Sequence, residues 1–445
     1  MRLAKSAILL LLCILASLPV LAQSSAAPAS PQTTASADSS GKILEYSLPP
    51  DKLQKSHALY IQSTRLLVVD TVYGFLVLLG LLYFGTVAMF RNLAEGITQR
   101  KWLQGFIVLP LFLAATSILT IPSDLYHQHL ARQYGLSVQG WGAWFGDWVK
   151  TLLLGVALGT ILLWLLYLMI RRSPKRWWFY GWLLCVPVVI FVLFVTPLVV
   201  EPLFFKFSPL EQTNPELVAQ IERVTRRGDL EIPRSRMYLM NASSKYTGDN
   251  AYVSGFGASK RVVVWDTTSK HMTTEQVMFV FGHEMGHYVL GHIPKLIGFT
   301  LAVLLLFLYL TYRLSGWMVR RWGPKWRVPD FADWSSVPML VLLLSLFSFI
   351  FNPAFNGFSR YVEHQADTYG LEVTHDLVPN SKLVAAQTFQ ILGENWLEYP
   401  YEGDFYEWWS QNHPLVSKRM IYAQEYDPWA QGKEPEFVKG PEAAK

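Results

Sequence analysis

The stretch TTEQVMFVFGHEMGHYVLGH, residues 273–292, decides how the rest of the chain is read. Thr273 with Gln276 fits a capping box, so a helix is predicted to start there. On a helix, residues four apart share a face, which aligns His283 with His287 and sets Glu284 beside them. Two imidazoles so placed can offer nitrogens to one metal ion, and the glutamate can reach a water bound to it. Neutral imidazoles suit zinc. Such an ion lowers the pKa of its water to about 7 and polarises a carbonyl. Glu284 would then act first as general base and later as general acid. Gly282 and Gly286 each cost a helix about 1 kcal/mol relative to alanine, which implies close approach by another element or a ligand. A bare His-Glu-x-x-His also occurs on ordinary surface helices, so the rest of the chain must supply a third ligand and a setting.

Composition supplies the setting. The 445 residues are 51% hydrophobic, 14% aromatic and only 16% charged, well below the roughly 25% charged of soluble domains. Net charge is +5, but the basic residues cluster beside apolar runs, which reads as membrane topology and not as nucleic-acid binding. The two cysteines, Cys13 and Cys185, both lie in apolar runs. Neither a disulfide framework nor a thiolate zinc site is available, so a metal must be held by His and carboxylate.

Residues 1–22, MRLAKSAILLLLCILASLPVLA, have a basic start, a short apolar run and a small-residue end, as in a secretory signal peptide cleaved after Ala22. Residues 23–42 are rich in Ser, Ala, Pro and Thr and read as a flexible tether. Apolar runs long enough to cross a bilayer follow at 71–90, 103–121, 151–170 and 177–200, with two shorter ones at 296–312 and 337–351. The loops 91–101, 171–176 and 313–327 carry the Lys and Arg, whereas 122–150 is almost neutral. The positive-inside rule puts the basic loops in the cytoplasm, and residues 201–295 and 352–445 together on the other side. The expected fold is a mainly α, polytopic membrane protein of about six transmembrane helices. Its zincin-like α+β domain is assembled from those two extramembrane segments. Residues 43–200 form an N-terminal membrane domain, and residues 201–445 a metallopeptidase domain interrupted by the last two spans. Within the second, RVVVW (Arg261–Trp265) reads as a strand.

A third ligand must come from the same side of the membrane. SRYVEHQADTYG, residues 359–370, places Glu363 and Asp367 four apart on a probable helix after the last apolar run. One carboxylate could bind the metal while the other accepts a hydrogen bond from a ligand imidazole.

With these parts in view, the chain resembles the membrane-embedded zinc metalloproteases of the type I CAAX prenyl protease kind. The resemblance rests on PSDLYHQHLARQYGLS (122–137), EPLFFKFSPLE (201–211), NAYVSGFGASKRVVVWDT (250–267), GHEMGH (282–287), SRYVEHQAD (359–367) and HPLVSKRM (413–420). It implies one zinc ion per chain held by His283, His287 and Glu363, with Glu284 as base and Asp367 behind the ligands. It implies that Asn250 and Ala251 hold substrate backbone beside the strand Arg261–Trp265. It further implies that His413 and Arg419 lie near the centre, where the histidine could steady an oxyanion. His292 is expected to have a plain role at a helix end, and His271, His364 and His375 to be structural or solvent-facing. Trp408 and Trp409 suit a membrane interface. The tail after Tyr426 is expected to be disordered.

The functional expectation is a zinc metalloendopeptidase acting on peptide bonds of membrane-associated or exported proteins, in contact with lipid. The location expected is a bacterial inner membrane with an extracytoplasmic catalytic domain. A prenylated cysteine is a cytosolic signal, so processing of prenylated C-termini is the alternative. Further alternatives are an intramembrane zinc protease and a transporter or scaffold with a structural zinc. A structural zinc would ordinarily be closed by four protein ligands.

Overall fold

The structure, a computed structural model, describes residues 43–255 and 260–439. The expected signal peptide and tether lie outside the described residues. The chain opens with α1 (Pro50–Tyr83), α2 (Thr86–Ile97), α3 (Lys101–Gln133), α4 (Trp141–Arg172) and α5 (Trp177–Val195). The apolar run 71–90 is not one span: α1 stops at Tyr83, and Gly85 adopts the left-handed region at φ +64° before α2 begins. A Cβ on Gly85 would also come within 2.9 Å of the Arg327 side chain, so glycine permits both the turn and the contact. After α5 the chain bends by 44° through a π turn, Thr196–Val200, into Glu201–Leu203.

The small sheet comes next: β1 (Phe207–Pro209), α6 (Pro215–Arg227), β2 (Met237–Met240), β3 (Ala251–Ser254) and β4 (Arg261–Trp265). Its order is β1-β2-β4-β3, antiparallel except for the parallel pair β2–β4. The strand expected at Arg261–Trp265 is there and is buried at every position, as a run of β-branched residues inside a covered sheet should be. β3 is an edge strand.

The remaining helices are α7 (Thr274–Val289), α8 (His292–Trp326), α9 (Val337–Thr374), α10 (Ser381–Asn395), α11 (Asp404–Ser410) and α12 (Val416–Glu425). The Thr273–Gln276 capping box is formed. Among the described residues, five helices (α1, α3, α4, α8 and α9) are long and apolar enough to cross a membrane, or up to six counting the bent segment around residue 195.

The basic loops meet at one end of the helical bundle. Arg91 Nη1 pairs with Asp333 Oδ1 at 3.0 Å, and Arg171 Nε donates to Ala332 O at 3.0 Å. The Arg171 guanidinium lies 3.8 Å over the Trp334 ring, whose Nε1 donates to Lys101 O at 3.1 Å. α9 starts at this end and runs unbroken for 38 residues, through Pro353, to the carboxylates Glu363 and Asp367.

Both ends of the described chain are fastened to the peptidase half. Leu44 and Gln424 exchange hydrogen bonds of 2.8 and 2.9 Å, and the Tyr46 hydroxyl donates to Glu398 O at 2.9 Å. The tail beyond Tyr426 is ordered through Lys439, contrary to the expectation of disorder. Glu372, fully buried on α9, accepts hydrogen bonds from the Tyr426 hydroxyl and from the backbone N–H groups of Glu436, Phe437 and Val438 at 2.5, 2.7 and 2.8 Å. Consecutive backbone N–H groups form an anion cradle that no composition rule reveals.

Candidate functional site

The site forms where α7 crosses α9. A Cβ on Gly282 would sit 2.8 Å from Val373 Cγ1, and one on Gly370 would sit 3.0 Å from the backbone nitrogen of His283. Glycine on both helices therefore sets their separation, which accounts for the helix-weakening glycines beside the histidines.

In this crossing one ligand atom each from His283, His287 and Glu363 lies within 4.8 Å of the others. The two Nε2 atoms are 3.2 Å apart. His283 Nε2 is 3.3 Å from Glu363 Oε2, and His287 Nε2 is 3.4 Å from Glu363 Oε1. Glu363 Oε2 is buried and accepts no well-directed hydrogen bond among the described residues. A buried carboxylate oxygen without a donor is costly unless a cation completes it. Two imidazole nitrogens and a carboxylate converging on one point, with one atom orphaned, fit a divalent cation bound by three protein ligands.

Behind His283, Nδ1 lies 2.8 Å from Asp367 Oδ1. This contact places the ring proton on Nδ1 and leaves Nε2 facing the cluster. Burial lowers the His283 pKa, while without a cation the Asp367 and Glu363 carboxylates raise it; a bound cation would displace the Nε2 proton. Asp367 is gripped by Arg419, whose Nε and Nη2 donate at 2.8 and 2.6 Å. Arg419 is itself buried and remains charged, because Asp367 outweighs the cost of its burial. Its guanidinium also lies 4.5 Å over the Phe389 ring.

Glu284 follows His283 on α7. Burial raises its pKa above the usual carboxylate range, opposed by the charges of His283 and His287, which moves it toward the range useful for a base at neutral pH.

His413 comes to the centre, with Nε2 3.2 Å from Glu363 Oε2 and Nδ1 3.0 Å from Asn412 Oδ1. Burial lowers its pKa, opposed by the nearby Glu363. It thus faces a ligand carboxylate. Asn250 and Ala251 lie where β3 begins. Ala251 pairs with Val264, and the Asn250 carbonyl accepts from Trp265 N at 3.0 Å.

Sequence reasoning missed Gln365 and undervalued His292. His292 is buried against the site, its Nδ1 3.1 Å from His287 Nδ1 and its Nε2 3.2 Å from Gln365 Oε1. The plain helix-end role expected for His292 is therefore corrected. The usable signal was its position five residues after His287, which a left-handed Gly291 turns back toward the helix. His271, His364 and His375 stay out of the cluster, bonded to Asp249 or stacked on Tyr422 and Trp429.

Comparison with known proteins matches residues 32–206 to the CAAX prenyl protease N-terminal region with five membrane helices. Residues 211–427 match peptidase family M48. The chain is 33% identical over 347 residues to an uncharacterized metalloprotease, YhfN, of Bacillus subtilis, covering 77% of this chain and 79% of that protein. It is 27% identical over 304 residues to a CAAX prenyl protease 1 homolog of Dictyostelium discoideum, covering 65% and 69%. The crystal structure of S. mikatae Ste24p has the same fold, with a TM-score of 0.71 at 22% identity, over 85% of this chain and 89% of that one.

Proposed function

The chain belongs to peptidase family M48 and is an integral-membrane metalloprotease, and we propose that His283, His287 and Glu363 bind one zinc ion with Glu284 as the catalytic base. The observation that carries this reading is the Glu363 carboxylate, whose orphaned Oε2 faces His283 Nε2 while its Oε1 faces His287 Nε2. Bound there, zinc would acidify a water and polarise the scissile carbonyl. Glu284 takes the proton of the attacking water and passes it to the leaving amine, and burial raises its pKa, which makes it a stronger base. Asp367 holds the His283 tautomer, and Arg419 holds Asp367. His413 Nε2 lies beside Glu363 Oε2 and, when it carries a proton, can offer an N–H toward the developing oxyanion. The free edge of β3 suits an extended peptide added as a further strand, with Asn250 at its start.

In this reading residues 43–200 are the membrane frame, and the chemistry belongs to the later segments. Substrates are membrane-associated or exported proteins, and the catalytic half lies outside the cytoplasm of a bacterial inner membrane. Gathering of Arg91, Arg171 and Arg327 at the end of the bundle away from Glu363 supports that orientation. The Dictyostelium relative's name makes processing of prenylated C-termini the second reading, and it requires the opposite orientation.

The test is peptide cleavage by purified Glu284→Gln. The expected result is retained zinc with turnover reduced by 100-fold or more, in line with loss of general base catalysis. Cleavage at the wild-type rate would sink the assignment. A reporter fused after Lys445 that is active only in the cytoplasm would reverse the orientation and favour the second reading.

A further inference from the structure

We propose that His292 and Gln365 are positioning residues that fix the tautomer of His287, so that His287 presents an unprotonated Nε2 to the ligand cluster. The inference rests on the reading of His287 as a metal ligand.

His292 is fully buried. Its ring faces that of His287 at 77°, with the two Nδ1 atoms 3.1 Å apart. Two facing imidazole nitrogens bond only when one carries a proton and the other does not. The far side of His292 decides which. Its Nε2 lies 3.2 Å from Gln365 Oε1, while Gln365 Nε2 donates to the Tyr361 hydroxyl at 3.2 Å. With an amide oxygen as its partner, His292 Nε2 must be the donor. Its Nδ1 is then an acceptor, His287 Nδ1 carries the proton, and His287 Nε2 is left with a lone pair. The opposite polarity would put a proton on His287 Nε2, aimed at His283 Nε2 and Glu363 Oε1 at 3.2 and 3.4 Å.

The two ligand histidines thus receive the same instruction by different means. His283 is set by Asp367, whose charge is balanced by Arg419. His287 is set by an uncharged pair, so no further carboxylate is added to a cluster already holding Glu284, Glu363 and Asp367. Gly291 at φ +66° makes the turn that brings His292 back to His287. Gln365 comes from α9, between Glu363 and Asp367.

The experiment uses the full chain purified in detergent. It measures apparent Zn2+ affinity by chelator competition and, separately, the melting temperature of the metal-free protein. Gln365→Met removes the acceptor at similar size, and Gln365→Glu keeps it. We expect Gln365→Met to lose about 10- to 100-fold in affinity, the usual cost of losing such a partner, with Gln365→Glu within about threefold of wild type and its metal-free melting unchanged. His292→Leu should fall with Gln365→Met. His292→Asn, which retains an acceptor near the Nδ1 position, should be rescued. Wild-type affinity in Gln365→Met and His292→Leu would overturn the proposal, as would an equal loss in Gln365→Glu, which would make packing the cause. His287→Ala separates the two readings: if it binds Zn2+ like wild type, the ligand assignment itself fails.

Discussion

Asp367 Oδ1 accepts two hydrogen bonds at once, from His283 Nδ1 at 2.8 Å and from Arg419 Nη2 at 2.6 Å. Asp367 is almost wholly buried, so its charge is divided between orienting an imidazole and neutralising a guanidinium. The His283 ring cannot be reoriented without disturbing a buried ion pair that also joins α12 to α9.

Arg419→Met is therefore expected to be more damaging than Asp367→Asn. The first leaves a buried carboxylate without its cation, at a cost of about 3–5 kcal/mol. The second keeps the shape, but its amide can turn an N–H toward His283 and spoil the ligand tautomer, at a cost of about 10- to 100-fold in metal affinity. Thermal melting of the metal-free protein and chelator competition distinguish them. Equal melting temperatures for Arg419→Met and wild type would refute the account.

Gly370→Ala should damage the site without altering any polar group. The new methyl would meet the His283 backbone nitrogen at 3.0 Å, and relief requires α7 and α9 to separate. Overpacking of this kind costs about 1–3 kcal/mol. A weaker metal affinity is expected alongside the lower melting temperature. An unchanged affinity would mean that the crossing does not set the ligand geometry.

Glu398 and Glu402 should make stability fall from mildly acidic to slightly alkaline pH. Burial is the main cause that raises their pKa values, to about 7 and about 8, over the opposing hydrogen bonds from Val416 N and Gln411. A raised carboxyl pKa stabilises the fold fully below the unfolded value of about 4.3, and that contribution is lost as pH climbs through the folded values. The melting temperature should therefore decline between about pH 4 and 8 and level off above that. Glu402→Gln should remove about 1–2 kcal/mol of the decline, after allowance for water contact. An identical pH dependence in the variant would rule the assignment out.

Truncation after Lys433 should destabilise α9. It deletes the N–H groups of Glu436, Phe437 and Val438 that hold the buried Glu372 carboxylate. The expected loss is about 2–5 kcal/mol, and Glu372→Leu should recover part of it in the truncated chain. Truncation at Lys439, which leaves the cradle intact, serves as the control, and equal melting of the two truncations would contradict the prediction.

What was legible in the sequence was local. The histidine spacing, the Thr273 cap, the strand Arg261–Trp265 and the Glu363–Asp367 pair each depend on residues within a turn or two of one another. What was hidden depends on contacts distant in sequence. The run 71–90 gave no sign of ending a helix at Tyr83, because Gly85 matters only once Arg327 is beside it. The tail looked like filler, because its function is carried by main-chain N–H groups and not by side chains. His292 was passed over because its partner Gln365 lies 73 residues further on.

The unbroken course of α9 gives the bilayer a mechanical hold on the chemistry. Glu363 rides on the same rod as the apolar segment that begins at Val337, while His283 and His287 stand on α7, separated from α8 by the left-handed turn at Gly291. Lipid thickness can bias the tilt of such a rod within what its packing against neighbouring helices allows. Over roughly 30 Å, a tilt of about 5° carries the far end about 2–3 Å sideways, comparable with the whole spacing of the ligand cluster. The glycine-tight seam between α7 and α9 holds the two halves of the cluster in register against such a shift.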